Sequence, residues 1–311
     1  MRRTYVFFGS LILASYFNGC AARTSVKMKQ EVSANVTKKA ESDYTGPKRR
    51  IGVIDFDDKS AYGKNRGLGE AASDILITEL VKTGKFIVVE RDKINKLLEE
   101  QKLGLSGAVD PGTAAKMGQI LGLNAILTGA ISNFGVRTTG SDYLVTQSKR
   151  QEASCTVDVR VVDVETGEIL LADSGKGVSK VASGSFLGMG TKGGYAETIE
   201  GDALRAAVAQ MTKNITYQVN KKPWSCRVAQ VAGGNIYLSA GTESGLKEGQ
   251  KLKVVSQGQE IKDPDSGMVL GREEQELGVL EIVNHSNERL SVAKMVQGST
   301  PKKGDLCRLK D

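Results

Sequence analysis

Between Ile51 and Gly129 the apolar residues switch back and forth between the two-residue period of strands and the 3.6-residue period of helices. Ile51-Gly-Val-Ile-Asp-Phe56 reads as a strand, and Gly67–Thr83 carries Leu68, Ala72, Ile75, Leu76 and Leu80 at helical spacing. Lys85–Glu90 has a fully apolar centre and reads as a second strand; Arg91–Leu103 turns Ile94, Leu97 and Leu98 to one helical face. Asp110-Pro111 is a cap followed by proline in the first turn, opening a helix that ends near Gly122, and Leu123–Gly129 is the next strand. Elements of these lengths in this alternation point to an α/β layer: a small, mixed, partly parallel sheet flanked by helices.

After residue 130 the pattern lengthens into two long β-hairpin candidates, 131–164 and 169–195, joined at Val164-Glu-Thr-Gly-Glu168. A closing helix is expected from about Asp202 to Val219, with Leu204, Val208, Met211 and Ile215 on one side. From Ser225 the sequence is all-β, with short strands at Ile236–Leu238, Leu252–Val255, Leu277–Val283 and Leu290–Val296. Gly245-Leu-Lys-Glu-Gly249-Gln and Pro301-Lys-Lys-Gly304-Asp look like equivalent turns leading into strands. A small closed or half-closed barrel of about 85 residues fits this spacing. The expected division is 1–19 signal peptide, 20–47 tether, 48–222 α/β domain and 223–311 β domain.

The first residues carry an export signal. Met1-Arg2-Arg3 is basic and Tyr5–Phe17 is an apolar run too short to span a bilayer as a stable helix. Phe17-Asn18-Gly19-Cys20 then places a small residue directly before a cysteine. This resembles the lipobox of bacterial lipoproteins, in which the cysteine is diacylated and becomes the mature N-terminus. Phe17 and Asn18 stand where that pattern prefers Leu and Ala or Ser, and an ordinary secretory signal cleaved near Ala22 is the alternative. The resemblance implies lipidation of Cys20. The polar, lysine-rich stretch up to residue 47 reads as a flexible tether that reaches ~90 Å at full stretch.

Charge and cysteines narrow the partners. The net charge of +7 includes Arg2 and Arg3, so the mature chain carries +5. Its lysines are scattered and aromatic residues make up only 5% of the chain, a pattern that argues against nucleic acid. Cys226 opens the C-terminal segment and Cys307 closes it, so a disulfide between them would staple the two ends of one domain outside the reducing cytoplasm. Cys155, in the alternating stretch Cys155–Val161, falls on the apolar face and reads as a buried free thiol.

Reactive constellations are scarce. The single histidine, His285, sits in the turn-like Asn284-His-Ser-Asn287 and reads as a solvated loop residue. One histidine leaves neither a Ser-His-Asp triad nor a multi-histidine metal site well supported. Asp55, Asp57 and Asp58 follow the first strand, with Asp55 and Asp57 expected on one face; they fit an acid–base pair, cation ligands or plain loop solvation. Gly63-Lys-Asn-Arg-Gly67-Leu-Gly69 lies where phosphates bind, yet lacks the Gly-Lys-Ser/Thr end of a P-loop and a proper Gly-x-Gly-x-x-Gly. Asp263-Pro-Asp265-Ser-Gly267, with Glu274 further along, departs from a calcium loop in its glycine position and its flanking strands. It reads as a hairpin turn. Gly184–Gly194, with Phe186, Leu187 and Met189, is either a lipid-inserting tip or a plain flexible hairpin. No enzymatic activity, cofactor or metal is expected.

Val88-Val-Glu-Arg91-Asp-Lys-Ile94-Asn-Lys-Leu97-Leu98-Glu-Glu-Gln101 resembles the Glu-Arg-x-x-Leu-x-x-Leu-Leu signature of the CsgG/HfaB lipoproteins, outer-membrane components of curli and holdfast assembly. Ala125–Gly129 and Val159–Leu170 agree in order and spacing, and the likeness covers about residues 48 to 220. Residues 225–311, with Asp263-Pro-Asp265-Ser-Gly267 and Lys303-Gly-Asp305, look like the C-terminal domain of the flagellar protein FlgT. The resemblance implies self-association into a ring on outer-membrane lipid, acylated and facing the periplasm. Two hairpins from each subunit would build a shared barrel, and a loop after the first strand would line a constriction. Only Tyr62 and Asn65 are available for that constriction, and the expected clients are curli-like subunits or other envelope proteins, passing by diffusion. Phe134, Val136 and Thr138, and Val178, Ala182 and Phe186, are the available lipid-facing residues, interrupted by Lys149–Glu152 and Lys176–Lys180. The alternative is a lipid-anchored periplasmic scaffold or regulatory subunit without a pore.

Overall fold

The structure is a computed structural model and describes residues 23–28, 44, 46–62, 66–100, 118, 120–143, 146–186, 189–190, 198–265 and 269–310. Its first sheet contains β1 (Arg23–Met28), β2 (Arg49–Val53), β3 (Asp57–Asp58), β4 (Phe86–Val89), β5 (Ala125–Tyr143), β6 (Thr146–Asp163), β7 (Ile169–Phe186) and β8 (Met189–Gly190). Helices α1 (Leu68–Lys82), α2 (Arg91–Glu100) and α3 (Thr198–Lys221) accompany it. The strand order is β1-β7-β6-β5-β2-β4, with β3 on β5 and β8 on β7. β2 runs parallel to β4 and β5, and the pairs β5–β6, β6–β7 and β7–β1 are antiparallel. The sheet is mixed, as the sequence pattern requires, but larger than that pattern suggests.

Alternation along each strand decides which layer a side chain enters. On β5, Ala125, Leu127 and Ile131 join a core with Leu76 and Leu80 of α1 and Leu204, Val208 and Met211 of α3. Ile126, between them, joins a second core with Ile94 and Leu97 of α2. Helices therefore cover both faces. Each fully buried Leu, Ile or Val on these faces contributes about 1.5–3 kcal/mol. α3 starts earlier than its periodicity suggests, because Ile199 and Ala203 continue its buried stripe.

The two expected hairpins are one meander. β6 bonds to β5 on one side and to β7 on the other over nearly its whole length. The stretch Val164–Glu168 is itself the tight turn between β6 and β7. Asp163 Oδ1 accepts the backbone N–H of Glu165 and of Thr166 at 2.9 and 3.0 Å, and Gly167 takes a positive φ of 75°. β1 adds a further antiparallel strand, Arg23 opposite Ala182 and Met28 opposite Gly177, inside the stretch that reads as tether.

Past Val136 the covering of β5 thins out. Thr138, Thr139 and Gly140 on β5 are consecutive and exposed, so there neither face of the strand is covered. From the pair Ala125–Asp163 to the pair Tyr143–Thr146 there are eighteen steps, or ~60 Å at ~3.3 Å per residue. The ribbon tip and the C-terminal segment of the chain lie at opposite ends of the sheet.

That C-terminal segment is a closed barrel of β9 (Ser225–Ala232), β10 (Asn235–Leu238), β11 (Lys251–Lys262), β12 (Val269–Asn287), β13 (Leu290–Gly298) and β14 (Leu306–Leu309), ordered β10-β13-β12-β11-β14-β9. Val228, Ile236, Leu238, Leu252, Val254, Leu280 and Ile282 fill it. The two similar glycine phrases make the same turn. Gln250 N bonds to Lys247 O and Asp305 N to Lys302 O, both at 3.2 Å, and Gly249 and Gly304 both have positive φ.

Candidate functional site

Tyr62, the candidate constriction residue, is clamped inside its own chain. Its ring stacks on Phe134, centroids 5.3 Å apart, and the Arg66 guanidinium lies 4.6 Å from its centroid. The phenol O–H donates to Glu200 Oε1 at 3.2 Å, and Arg66 Nη1 donates to the same carboxylate oxygen at 3.0 Å. Burial, then the Glu200 carboxylate, push the phenol above its ordinary pKa, so it stays a donor. The cluster ties the β2–α1 connection to β5 and to the first turn of α3. Asn65 lies outside the described residues, as does Cys20.

Of the lipid-facing set, Phe134 is buried against Tyr62 and Val136 is partly buried on the same core. Those two face inward. Val178 is half-buried and Thr138 and Ala182 are exposed. Two of the charges that interrupt the ribbon pair with each other: Glu152 stands directly opposite Lys180, Oε2 to Nζ 2.7 Å. Both side chains are more than a third exposed, so this pair adds little stability.

Two of the three acidic residues hold local structure. Asp55 accepts hydrogen bonds from Ser73 Oγ of α1 (3.4 Å) and Asn95 Nδ2 of α2 (3.1 Å), joining both helices to the end of β2. Asp58 closes a local turn by accepting from the N–H and hydroxyl of Ser60. In the glycine-rich loop, Gly67 is the left-handed cap of α1, φ 66°, and a Cβ on Gly69 would lie 2.0 Å from the Phe56 carbonyl oxygen. These glycines serve turn and packing.

His285 departs from its expected place. It lies within β12, opposite Ser291 of β13, its Nδ1 2.9 Å from Ser291 Oγ. Glu274 makes a two-pronged pair with Arg308 at 2.5 and 2.7 Å, while Asp263 Oδ1 accepts Asp265 N in a turn. Among the described residues no group of three or more His, Cys, Asp or Glu converges as metal ligands.

The cysteines fall on two cores. Cys155 is a buried free thiol, pushed up to about 12 by burial and then by the nearby Asp58 carboxylate. Cys226 and Cys307 are cross-strand partners on β9 and β14, both buried and both free thiols in this structure. The neighbouring Cys226 thiol, then burial, hold Cys307 well above the ordinary thiol range.

Sequence reasoning missed the seam where the barrel meets the lower ends of β2, β5 and β6. Arg49, buried at the start of β2, donates to Asn220 Oδ1 and Pro223 O at 3.3 Å and to the Lys222 carbonyl beyond α3. Lys222 Nζ meets Asp163 Oδ2 at 2.6 Å, and the Trp224 indole N–H donates to Lys48 O at 3.2 Å. Lys48 N bonds to Ser244 O of the barrel at 2.7 Å. Partners 59 to 196 positions apart leave no local signal; only the buried-strand position of Arg49 was there to be noticed.

Residues 29–247 match the sequence model of the family described as curli production assembly/transport component CsgG. The proposed lipoprotein NMB1126/NMB1164 of Neisseria meningitidis serogroup B is 29% identical over 216 residues, covering 66% of this chain and 90% of the relative. Among solved structures, the C-terminal domain of LpoB from Salmonella enterica is 17% identical, with 45% of this chain and 90% of that one covered at a TM-score of 0.31. The PelC dodecamer from Paraburkholderia phytofirmans is 10% identical, with 62% and 97% covered at a TM-score of 0.29. At such TM-scores the overlaps bear on neither assembly nor activity.

Proposed function

The chain belongs to the CsgG family, and from that premise we propose that it is an envelope lipoprotein, acylated on Cys20, that assembles on the periplasmic face of the outer membrane. It would serve there as a non-enzymatic secretion component. The observation that carries the reading is the meander: three strands of 18 or 19 residues, of which β5 is exposed on both faces from Arg137 to Gly140. Paired backbone with both faces bare is what a membrane or a neighbouring copy would cover, and a membrane strand needs only ~9–11 residues. Passage of curli-like subunits through such an assembly would be diffusive, in keeping with a sequence in which Gly63–Gly69 lacks the Gly-Lys-Ser/Thr end of a P-loop.

A second reading, a lipid-anchored periplasmic scaffold without a pore, is favoured by a different observation. The ribbon is rich in Thr, Ser, Lys, Arg and Gln, and Tyr62 is half-buried against Phe134 and Glu200 of its own chain. Planar-bilayer conductance of acylated oligomer separates the two. A pore gives stable unitary steps that disappear when residues 139–150 are replaced by a two-residue turn, a cut at the Thr138–Gln151 pair that leaves the core intact. A silent bilayer from intact acylated oligomer retires the pore and leaves the scaffold.

A further inference from the structure

We propose that the cavity at the seam between the α/β layer and the barrel binds a small protonated oxyanion of the hydrogen-phosphate type, with Arg50 as its central ligand. The cavity measures about 80 Å³. That is room for a few waters or one phosphate-sized ion, and too small for a nucleotide. Lys48, Arg49, Arg50, Lys222, Arg227 and Arg289 line it. Against these six cations stand three carboxylates, Asp163, Glu165 and Glu243, so positive charge is in excess.

The pairing pattern locates the vacancy in the charge balance. Asp163 is fully engaged by Lys222 and by its own turn. Arg49 is engaged by carbonyls and Asn220. Glu243 is shared, 3.3 Å from Arg289 Nε and 3.9 Å from Arg50 Nη2. The longer contact exceeds hydrogen-bond distance. Arg50 Nε is buried with no hydrogen-bond partner. Burial first, and then the like charge of Arg289, act against the Arg50 cation, with Glu243 only partly offsetting them; a further anion at Arg50 would favour the charged form. Glu165 Oε1, lining the same cavity, is buried and also lacks a hydrogen-bond partner, its nearest cation Arg227 Nη2 standing beyond hydrogen-bond distance at 3.9 Å. A donor group is needed there and an acceptor at Arg50. Hydrogen phosphate offers both in one small ion; sulfate and chloride offer only acceptance.

Trp224, the only tryptophan of the chain, lines the cavity and reports on it without labelling. The full chain is titrated with inorganic phosphate, sulfate and chloride at constant ionic strength, following Trp224 emission and the unfolding temperature. The expected result is a saturable change with phosphate, absent with sulfate and chloride. Arg50→Gln should weaken it by about tenfold or more, the scale of one hydrogen bond to a charged group. Arg289→Ala, at an exposed side chain that spares the fold, should weaken it several-fold through lost attraction. Glycerol 3-phosphate, run in parallel, distinguishes free phosphate from a phosphomonoester group as the physiological source. Equal response to sulfate, persistence in both variants, or half-saturation only above about 100 mM, an adventitious ion only, overturns the site.

Discussion

At Cys155 the surroundings set a pH dependence. An unfolded cysteine ionises near ~8.5, whereas the folded thiol is held up to about 12. Between those values the native state keeps a proton that the unfolded state releases, so stability is intact below the lower value and falls as pH rises. The slope is at most about 1.4 kcal/mol per pH unit. Urea unfolding at pH 8 and pH 10 should show this loss, and Cys155→Ala should remove that part of it. Cys226 and Cys307 are predicted to close a disulfide during oxidative folding, because they already stand opposite each other across two strands. The loop of about 80 residues is worth roughly 4 kcal/mol by chain entropy. Intact mass under non-reducing conditions, short by two hydrogens and restored by reductant, checks it. The burial of Cys155 and the closeness of Cys226 and Cys307 were legible, the first from strand alternation and the second from their places at the ends of one segment. The Tyr62 clamp was not, because Phe134 and Glu200 reach Tyr62 only through the folded sheet and α3.

Among the elements, α3 sits unusually close to β7. A Cβ on Gly177 would fall 1.9 Å from the Ala203 carbonyl oxygen, and one on Gly175 2.0 Å from that of Ala207. Gly177→Ala must therefore push helix from strand, at a cost of about 1–3 kcal/mol. Thermal unfolding should register a drop of several degrees, and a variant as stable as the parent would show the contact to be loose. Periodicity revealed the helices and the short strands because each has one covered face. It could not show that β5, β6 and β7 form a single meander, since every strand in a meander or in separate hairpins has the same two-residue period. The turn at Asp163–Gly167 was visible, but not which strands it joined. β1 escaped notice because pairing through the backbone asks little of side-chain pattern.

The whole molecule is an α/β layer with a barrel attached through polar contacts at one end. A chain ending at Lys222 loses the Trp224–Lys48, Asn124–Ser225 and Lys48–Ser244 hydrogen bonds, yet both of its apolar cores remain. Calorimetry should show fragment 223–311 unfolding as a cooperative unit with its own transition, and 1–222 unfolding a few degrees below its position in the full chain. A barrel fragment without a transition would mean that the seam is needed for folding. Two-part organisation was legible from the change of period near residue 223, whereas the seam itself depends on how the parts face each other.

β1 also sets a polarity along the long axis. Arg23 is level with Ala182, high on the ribbon, and Cys20 precedes it by three residues, ~10 Å of chain at most. Acyl chains on Cys20 would then moor the ribbon end at the lipid surface. The barrel would hang ~45 Å or more inward of Arg23, within reach of partners that float free of the bilayer.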